Sequence, residues 1–260
     1  MNLGLTQKVF IVTGGAKGIG GAISETLAQE GAIVVVAGRN EKDNRAMVEK
    51  IQQAGGKADA VHGELSVAAA CKKVVDETLK KFGRIDGIVN NAGVNDGVGL
   101  ESGSPEKFMA SLQLNVSHYY NLVHYALPAL KETRGNVINI GSKVAETGQG
   151  NTSGYAASKG AINALTREWA VELLPYGIRV NAVIPAETWT PQYENWIKTL
   201  PNAEETFNRI VSRIPLGKRM TTSEEIASMT VFLLSEKSSH TTGQIIYVDG
   251  GYTHLDRAIS

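Results

Sequence analysis

Tyr155 and Lys159 stand four residues apart, about one helical turn, so on a helix their side chains share a face. A phenol titrates at about 10 and is too weak a base near neutrality. A cation about 4 Å away, at an effective dielectric of about 20, favours the phenolate by about 4 kcal/mol, on the order of three pKa units. Desolvation takes back part of that gain. The pair is therefore expected to bring Tyr155 down into the range of a general base for an alcohol proton. Ser142 follows the apolar run Asn136 to Ile140, and its hydroxyl at that strand end can polarise the same oxygen. For an isolated Tyr/Lys pair, plain amphipathic packing is the better explanation. What favours chemistry is the company the pair keeps.

That company begins with Thr13-Gly14-Gly15-Ala16-Lys17-Gly18-Ile19-Gly20, which joins a first apolar strand, Val9 to Val12, to a helix carrying Ile19, Ile23 and Leu27 on one stripe. Glycines there let the backbone approach a pyrophosphate, and the helix N-terminus favours the anion. The second strand, Ile33 to Ala37, runs into Gly38-Arg39 with no acid at its end. An acid at this place binds the ribose 2′-hydroxyl of NAD, whereas an arginine accommodates the 2′-phosphate of NADP. Arg39, seconded by Lys17, tilts the expectation to NADP, with NAD possible; either cation is also compatible with an ordinary solvated surface. Glu64 and Leu65, after the third strand, are candidates for the adenine side of the groove, and a solvated loop carboxylate is the equal alternative for Glu64.

The elements that must position these groups alternate. Further strands are expected at Ala58 to Leu65, Ile85 to Val89, Asn136 to Ile140, Ile178 to Ile184 and Ile245 to Val248. Helices are expected from an N-cap at Ser66 to near Phe82, from Ser104-Pro105-Glu106 to about Lys131 with Pro128 kinking its end, from about Tyr155 to Leu174, and from Ser223-Glu224-Glu225 through Leu234. Strands separated by helices imply parallel pairing through right-handed crossovers. With 260 residues and no linker, repeat or charge block, one α/β domain spanning 1–260 is the simplest organisation. The irregular stretch Pro185 to Pro215, bearing Trp189, Tyr193 and Trp196, reads as a substrate-covering loop or helix insertion near 186–215.

Charge and composition narrow the function classes. The 26 Lys+Arg balance the 26 Asp+Glu, so no excess of positive charge is available for nucleic acid or an anionic membrane. The longest apolar run, Ala32 to Ala37, is far below the roughly 20 residues of a membrane span. One cysteine, Cys71, fits a reducing cytoplasm. The five histidines lack metal-ligand spacing, and no metal is expected.

Taken together, Thr13-Gly14, Gly18-Ile19-Gly20, Asn90-Asn91-Ala92-Gly93, Asn115, Ser142, Tyr155, Lys159, Asn181, Pro185 and Asp249-Gly250-Gly251 resemble the short-chain dehydrogenase/reductase family over nearly the whole chain. The resemblance implies a Rossmann-type, doubly wound, seven-stranded parallel sheet and reversible hydride transfer between a nicotinamide and an alcohol or carbonyl. It implies a catalytic set of Asn115, Ser142, Tyr155 and Lys159, with Lys159 also on the nicotinamide ribose and Asn115 holding a water that completes a proton relay. It places Gly14, Lys17, Gly18, Ile19, Gly20, Arg39, Glu64, Leu65, Asn91, Ala92, Gly93, Tyr155, Lys159, Pro185, Thr188 and Thr190 on the cofactor. Where the family has Pro-Gly, this chain has Pro185-Ala186, so the path of that loop is an open point. The resemblance further implies a homotetramer, with Trp169 and the tail after Gly251 as candidate contacts.

Within the family, Asn90 to Gly97, Thr147 to Thr152, Ile184 to Glu187 and the tail Gly251 to Arg257 resemble bacterial L-fucose dehydrogenases, with Trp189 where a Met is expected. That implies oxidation of the anomeric hydroxyl of a free aldose to the lactone, with Asn95, Ser142, Gln149, Tyr155, Glu187, Tyr193 and Trp196 around the sugar. Asp96 is a further short polar group on these loops. Two alternatives stay open: a ketoreductase acting on a 3-oxoacyl or steroid-like carbonyl, and a non-catalytic dinucleotide-binding regulator.

Overall fold

Val9, Phe10, Ile11 and Val12 are all fully or almost fully buried, because the strand they form is covered on both sides. Val9 and Ile11 join one hydrophobic layer, whereas Phe10 and Val12 join the other, as the alternation of a strand dictates. The computed structural model describes residues 2–255, so Asp256 and Arg257 of the tail lie outside the described residues.

Strand β1 (Val9–Thr13) is followed by α1 (Gly18–Gln29), β2 (Ile33–Gly38), α2 (Glu41–Gln53), β3 (Lys57–His62), α3 (Ala68–Phe82) and β4 (Gly87–Asn90). Then come α4 (Pro105–Leu112), a π-helical turn (Gln113–Ser117), α5 (His118–Thr133), β5 (Asn136–Ile140), α6 (Ser153–Glu172) and β6 (Arg179–Pro185). The chain continues through β7 (Thr188–Trp189), α7 (Pro191–Lys198), α8 (Ala203–Ser212), β8 (Thr221–Thr222), α9 (Ser223–Leu234) and β9 (Ile245–Val248). Seven strands form one sheet in the order β3-β2-β1-β4-β5-β6-β9, every pair parallel. The order reverses between β1 and β4, and a crevice at such a switch point is where α/β sheets bind ligands. The doubly wound architecture expected from the sequence is the one observed.

Several boundaries differ for local reasons. The third strand ends at His62 rather than Leu65, because Glu64 accepts from the backbone N–H and hydroxyl of Ser66 and turns the chain. That contact also takes Ser66 away from the N-cap of α3, which falls to Val67 without a side-chain bond. The cap of α9 is Thr222, one residue before the expected Ser223, in a reciprocal capping box with Glu225. Helix α6 starts at Ser153, two residues ahead of Tyr155. Helix α5 runs through Pro128 to Thr133, and the interruption lies upstream, in the π turn around Asn115. Helix α2, capped by Asn40, was not read from the sequence, although Met47 and Ile51 form its buried stripe. The region expected to be irregular holds α7 and α8, tied down by the β7–β8 pairing. Trp169 is 5 % exposed and belongs to the core of its own chain, contrary to its candidacy as a subunit contact.

Candidate active site

The carboxyl ends of β1, β2, β4, β5 and β6 open into one cleft of about 1690 Å³. All of the residues named above for cofactor and sugar line it. Asn115, fully buried, sits behind its wall.

The glycine turn is built by contacts that only glycine tolerates. A Cβ on Gly20 would stand 2.3 Å from the carbonyl oxygen of Gly14 and 2.4 Å from Nδ2 of Asn91. Asn91 donates that Nδ2 to the carbonyl of Thr13 at 2.9 Å, and the Thr13 hydroxyl accepts from the backbone of Asn91 and Ala92 at 2.8 and 3.0 Å. Asn91 is therefore the clasp between the β1 and β4 turns, and its side chain acts on the loop's shape. The result is a helix N-terminus presented to the cleft by close-packed backbone, the arrangement a pyrophosphate needs. On the opposite wall the Thr188 hydroxyl is buried without a hydrogen-bond partner, whereas Thr190 uses its own oxygen to cap α7 through the Tyr193 N–H at 3.1 Å. The glycine cradle and the unpartnered hydroxyl of Thr188, a residue of the cleft lining, both fit a nicotinamide dinucleotide. Ala186 needs no positive φ, so the loop after Pro185 follows its path without the glycine.

At the rim, Lys17 is ion-paired to Asp43 at 2.7 Å, and Arg39 leans toward Glu64 at 4.0 Å. Arg39 is the freer cation, its side chain 70 % exposed. Glu64 is shared between Arg39 and the Ser66 turn.

Deeper in, Ser142 and Tyr155 line the cleft together, Ser142 acting to lower the phenol's pKa, and Lys159 is buried one turn further along α6. The Lys159 ammonium donates to the Ile140 carbonyl at 2.8 Å and to the Tyr119 hydroxyl at 3.4 Å. Its Nζ stands 5.5 Å from the centre of the Tyr155 ring. The electrostatics correct the sequence expectation of a lowered phenol. Burial pushes Tyr155 up to about 12, with only Ser142 opposing it, and pushes Lys159 down to about 7. Desolvation outweighs the attraction because it penalises both charged forms at once. Tyr155 on these terms is a proton donor at neutral pH, and becomes a base when a cation beside it stays charged.

Asn115 shapes this region from behind. Its Oδ1 accepts from the Val94 N–H at 2.8 Å and its Nδ2 donates to the Ser111 carbonyl at 3.1 Å. A Cβ on Gly93 would come within 3.1 Å of that Oδ1 and 3.7 Å of Lys159 Nζ, so Gly93 lets the β4 turn close over the lysine. His118, in the same helix, bonds the Ala92 carbonyl at 3.1 Å and is pushed down to about 4 by burial.

The outer half of the cleft is polar with an aromatic flank. Asn95 closes a turn onto Gly97 N–H at 3.2 Å, and Gln149 is exposed. Tyr193 donates to Glu187 at 2.7 Å and meets the Trp196 ring edge-on at 5.1 Å. Trp189, a candidate either to cover the substrate or to anchor the insertion, packs against Phe207 of α8 at 5.4 Å and anchors the insertion. One residue that the sequence does not nominate lines this half, Lys143, ion-paired to Glu187; Tyr252, expected with His254 to approach a neighbouring subunit's pocket, lies instead with its ring 4.1 Å from the Lys143 ammonium. Tyr252 reaches its own chain's cleft because Asp249 accepts from Gly251 and Thr253 N–H at 2.8 Å each and folds the tail back, while His254 stacks edge-on to Tyr247 at 4.3 Å. Among the described residues no helix is long and apolar enough to cross a membrane, and no group of three or more potential metal ligands occurs.

Comparison with known proteins points the same way. The profile of the family described as Enoyl-(Acyl carrier protein) reductase matches residues 14–253. An L-fucose dehydrogenase of Bos taurus is 38% identical over 245 residues, 94% of this chain and 88% of that protein. A 3-oxoacyl-[acyl-carrier-protein] reductase of Thermotoga maritima is 37% identical over 248 residues, 95% of this chain and 98% of that protein. The crystal structure of the Cj0485 dehydrogenase superposes with a TM-score of 0.94 at 43% identity, covering 99% of this chain and 98% of that one.

Proposed function

Because the chain belongs to the short-chain dehydrogenase/reductase family, we propose that this oxidoreductase is an NADP-preferring dehydrogenase of a free aldose, L-fucose or a related sugar, oxidising its anomeric hydroxyl to the lactone. The observation that carries the reading is the junction in one cleft of Ser142, Tyr155 and Lys159 with a polar outer half holding Asn95, Gln149, Glu187 and Tyr193. A sugar needs several such short polar groups and an aromatic surface for its C–H face, which Tyr193 and Trp196 offer. The resemblance to L-fucose dehydrogenases supports the sugar class.

A bound nicotinamide would supply hydride exchange at the carbon that bears the reacting oxygen. The rest falls to side chains. Gly14, Gly18, Ile19 and Gly20 would hold its pyrophosphate against α1, Asn91, Ala92 and Gly93 would flank the adenosine ribose, and Pro185, Thr188 and Thr190 would flank the carboxamide. Arg39, with Lys17, would meet a 2′-phosphate at the rim. Ser142 holds the substrate oxygen, Tyr155 Oη takes its proton in oxidation and returns it in reduction, and Lys159 supports the phenolate charge from its buried position. Asn115 positions Lys159 through the Val94 turn. We assign the chain to the cytoplasm, in keeping with the single buried thiol of Cys71, and to a homotetramer, for which exposed Tyr120 of α5 and Val171 of α6 supply apolar surface.

A second reading, reduction of a 3-oxoacyl or steroid-like ketone, is supported by the 37% identity to a 3-oxoacyl-[acyl-carrier-protein] reductase. Assay of free aldoses with NADP⁺ and NAD⁺, beside oxoacyl thioesters and steroid ketones with NADPH, separates the two. Aldose turnover supports the first reading. Ketone reduction without turnover of any aldose establishes the second in its place.

A further inference from the structure

We propose that the buried Lys143–Glu187 pair reads two neighbouring hydroxyls of the substrate and so sets specificity for a polyol over a plain hemiacetal, alcohol or ketone. The inference rests on the aldose reading. It concerns a different part of the cleft from Tyr155, and Lys143 is new to the site.

Lys143 directly follows Ser142 and opens the short helical turn Lys143–Ala145, so its backbone is fixed beside the hydroxyl that holds the reacting oxygen. Glu187 comes from the loop after β6, 44 residues away in sequence. The two side chains are only 10% and 13% exposed. One Glu187 oxygen takes the Lys143 ammonium and the other accepts from Tyr193 at 2.7 Å. The ammonium also faces the Tyr252 ring at 4.1 Å. All four residues line the same cleft.

A buried pair of this kind adds little to stability, since each charge gives up its hydration, and charged groups gathered in a cleft are commonly placed for a ligand. The ligand class follows from hydrogen-bonding capacity. An ammonium only donates and a carboxylate only accepts. Adjacent hydroxyls answer both, one accepting from Lys143 while its neighbour donates to Glu187. The pair has no net charge, so a neutral sugar leaves nothing uncompensated. A carboxylate or phosphate brought to Lys143 would also meet Glu187. An acyl chain or steroid would desolvate both charges and offer neither a partner. Sites built around substrate hydroxyls reject analogues lacking them by large factors.

The test compares L-fucose with 2-hydroxytetrahydropyran, a cyclic hemiacetal that keeps the reacting hydroxyl and has no other. The variant K143Q/E187Q removes both charges together and strands neither. In wild-type enzyme kcat/KM is expected to favour the sugar by about 10²-fold or more. In the double variant that ratio falls to within about tenfold, mainly through a higher KM for the sugar. NADP⁺ titration by fluorescence and thermal melting report that the variant is folded. Should it not fold, K143R and E187D keep both charges but displace them, and each is expected to lower the same ratio several-fold. An unchanged ratio in a folded variant overturns the inference and leaves the aldose reading standing. Failure of the wild-type enzyme to oxidise L-fucose or any other aldose overturns the aldose reading, and this inference with it.

Discussion

The Lys159 ammonium stands 5.5 Å from the centre of the Tyr155 ring, and burial displaces the two groups in opposite directions, the phenol up to about 12 and the amine down to about 7. Each favours the neutral form alone and each stabilises the charged form of the other, so they titrate as a pair. Oxidation needs the phenolate and reduction needs the phenol. The oxidative kcat/KM is therefore expected to rise with pH on the alkaline side of neutrality, and the reductive one to fall. Replacing Lys159 by Met removes the only cation of the pair and should displace the oxidative limb to higher pH, with Arg restoring part of it. A pH profile identical in wild type and K159M would contradict the coupling.

The rim offers a separate test. Lys17 is held by Asp43 at 2.7 Å, whereas Arg39 stands 4.0 Å from Glu64 and is largely exposed. Arg39 is thus the residue available to a 2′-phosphate. R39D is expected to reduce the NADP-over-NAD ratio of kcat/KM at least about tenfold, the loss of one charge-assisted contact. K17Q should have the smaller effect. An unchanged ratio in R39D would refute the cofactor assignment.

His118 makes a prediction about stability. Its folded pKa of about 4 lies below the ordinary 6.5, chiefly through burial, with the Ala92 hydrogen bond opposing the shift and Lys159 adding to it. The unfolded chain therefore binds more protons between those values, so stability falls as pH drops through about 6.5 toward 4. The full effect is about 3 kcal/mol. In H118Q, which keeps a donor for the Ala92 carbonyl, this part of the acid destabilisation should disappear. Urea unfolding at pH 7 and pH 4.5 measures it, and parallel losses in both proteins would contradict the assignment.

What was legible in the sequence was local. Gly14, Gly18 and Gly20 follow a buried strand at fixed spacing, Tyr155 and Lys159 sit one turn apart, and strands alternate with helices, so the fold and the cleft floor could be read from short windows. The Lys143–Glu187 pair could not, because its halves lie 44 residues apart and a lysine after a serine reads as an ordinary surface charge. The signal available was the adjacency of Lys143 to Ser142. The balance at Tyr155 is not legible in the sequence for a related reason. Spacing reports a neighbouring charge, whereas the dominant desolvation depends on how Tyr119, Ile140 and the β4 turn close around α6. For Trp189 residue type leaves covering the substrate and anchoring the insertion equally open, and the fold shows it packed against Phe207.

The central claim is hydride transfer from an aldose with Tyr155 Oη as the proton acceptor, and it is tested most directly by initial rates of NADPH formation from L-fucose in wild type and Y155F. Wild type is expected to form NADPH, and Y155F to be slower by about 10²-fold or more, with NADP⁺ affinity within about twofold because the ring and its packing remain. A Y155F enzyme that oxidises the sugar at the wild-type rate would contradict the account.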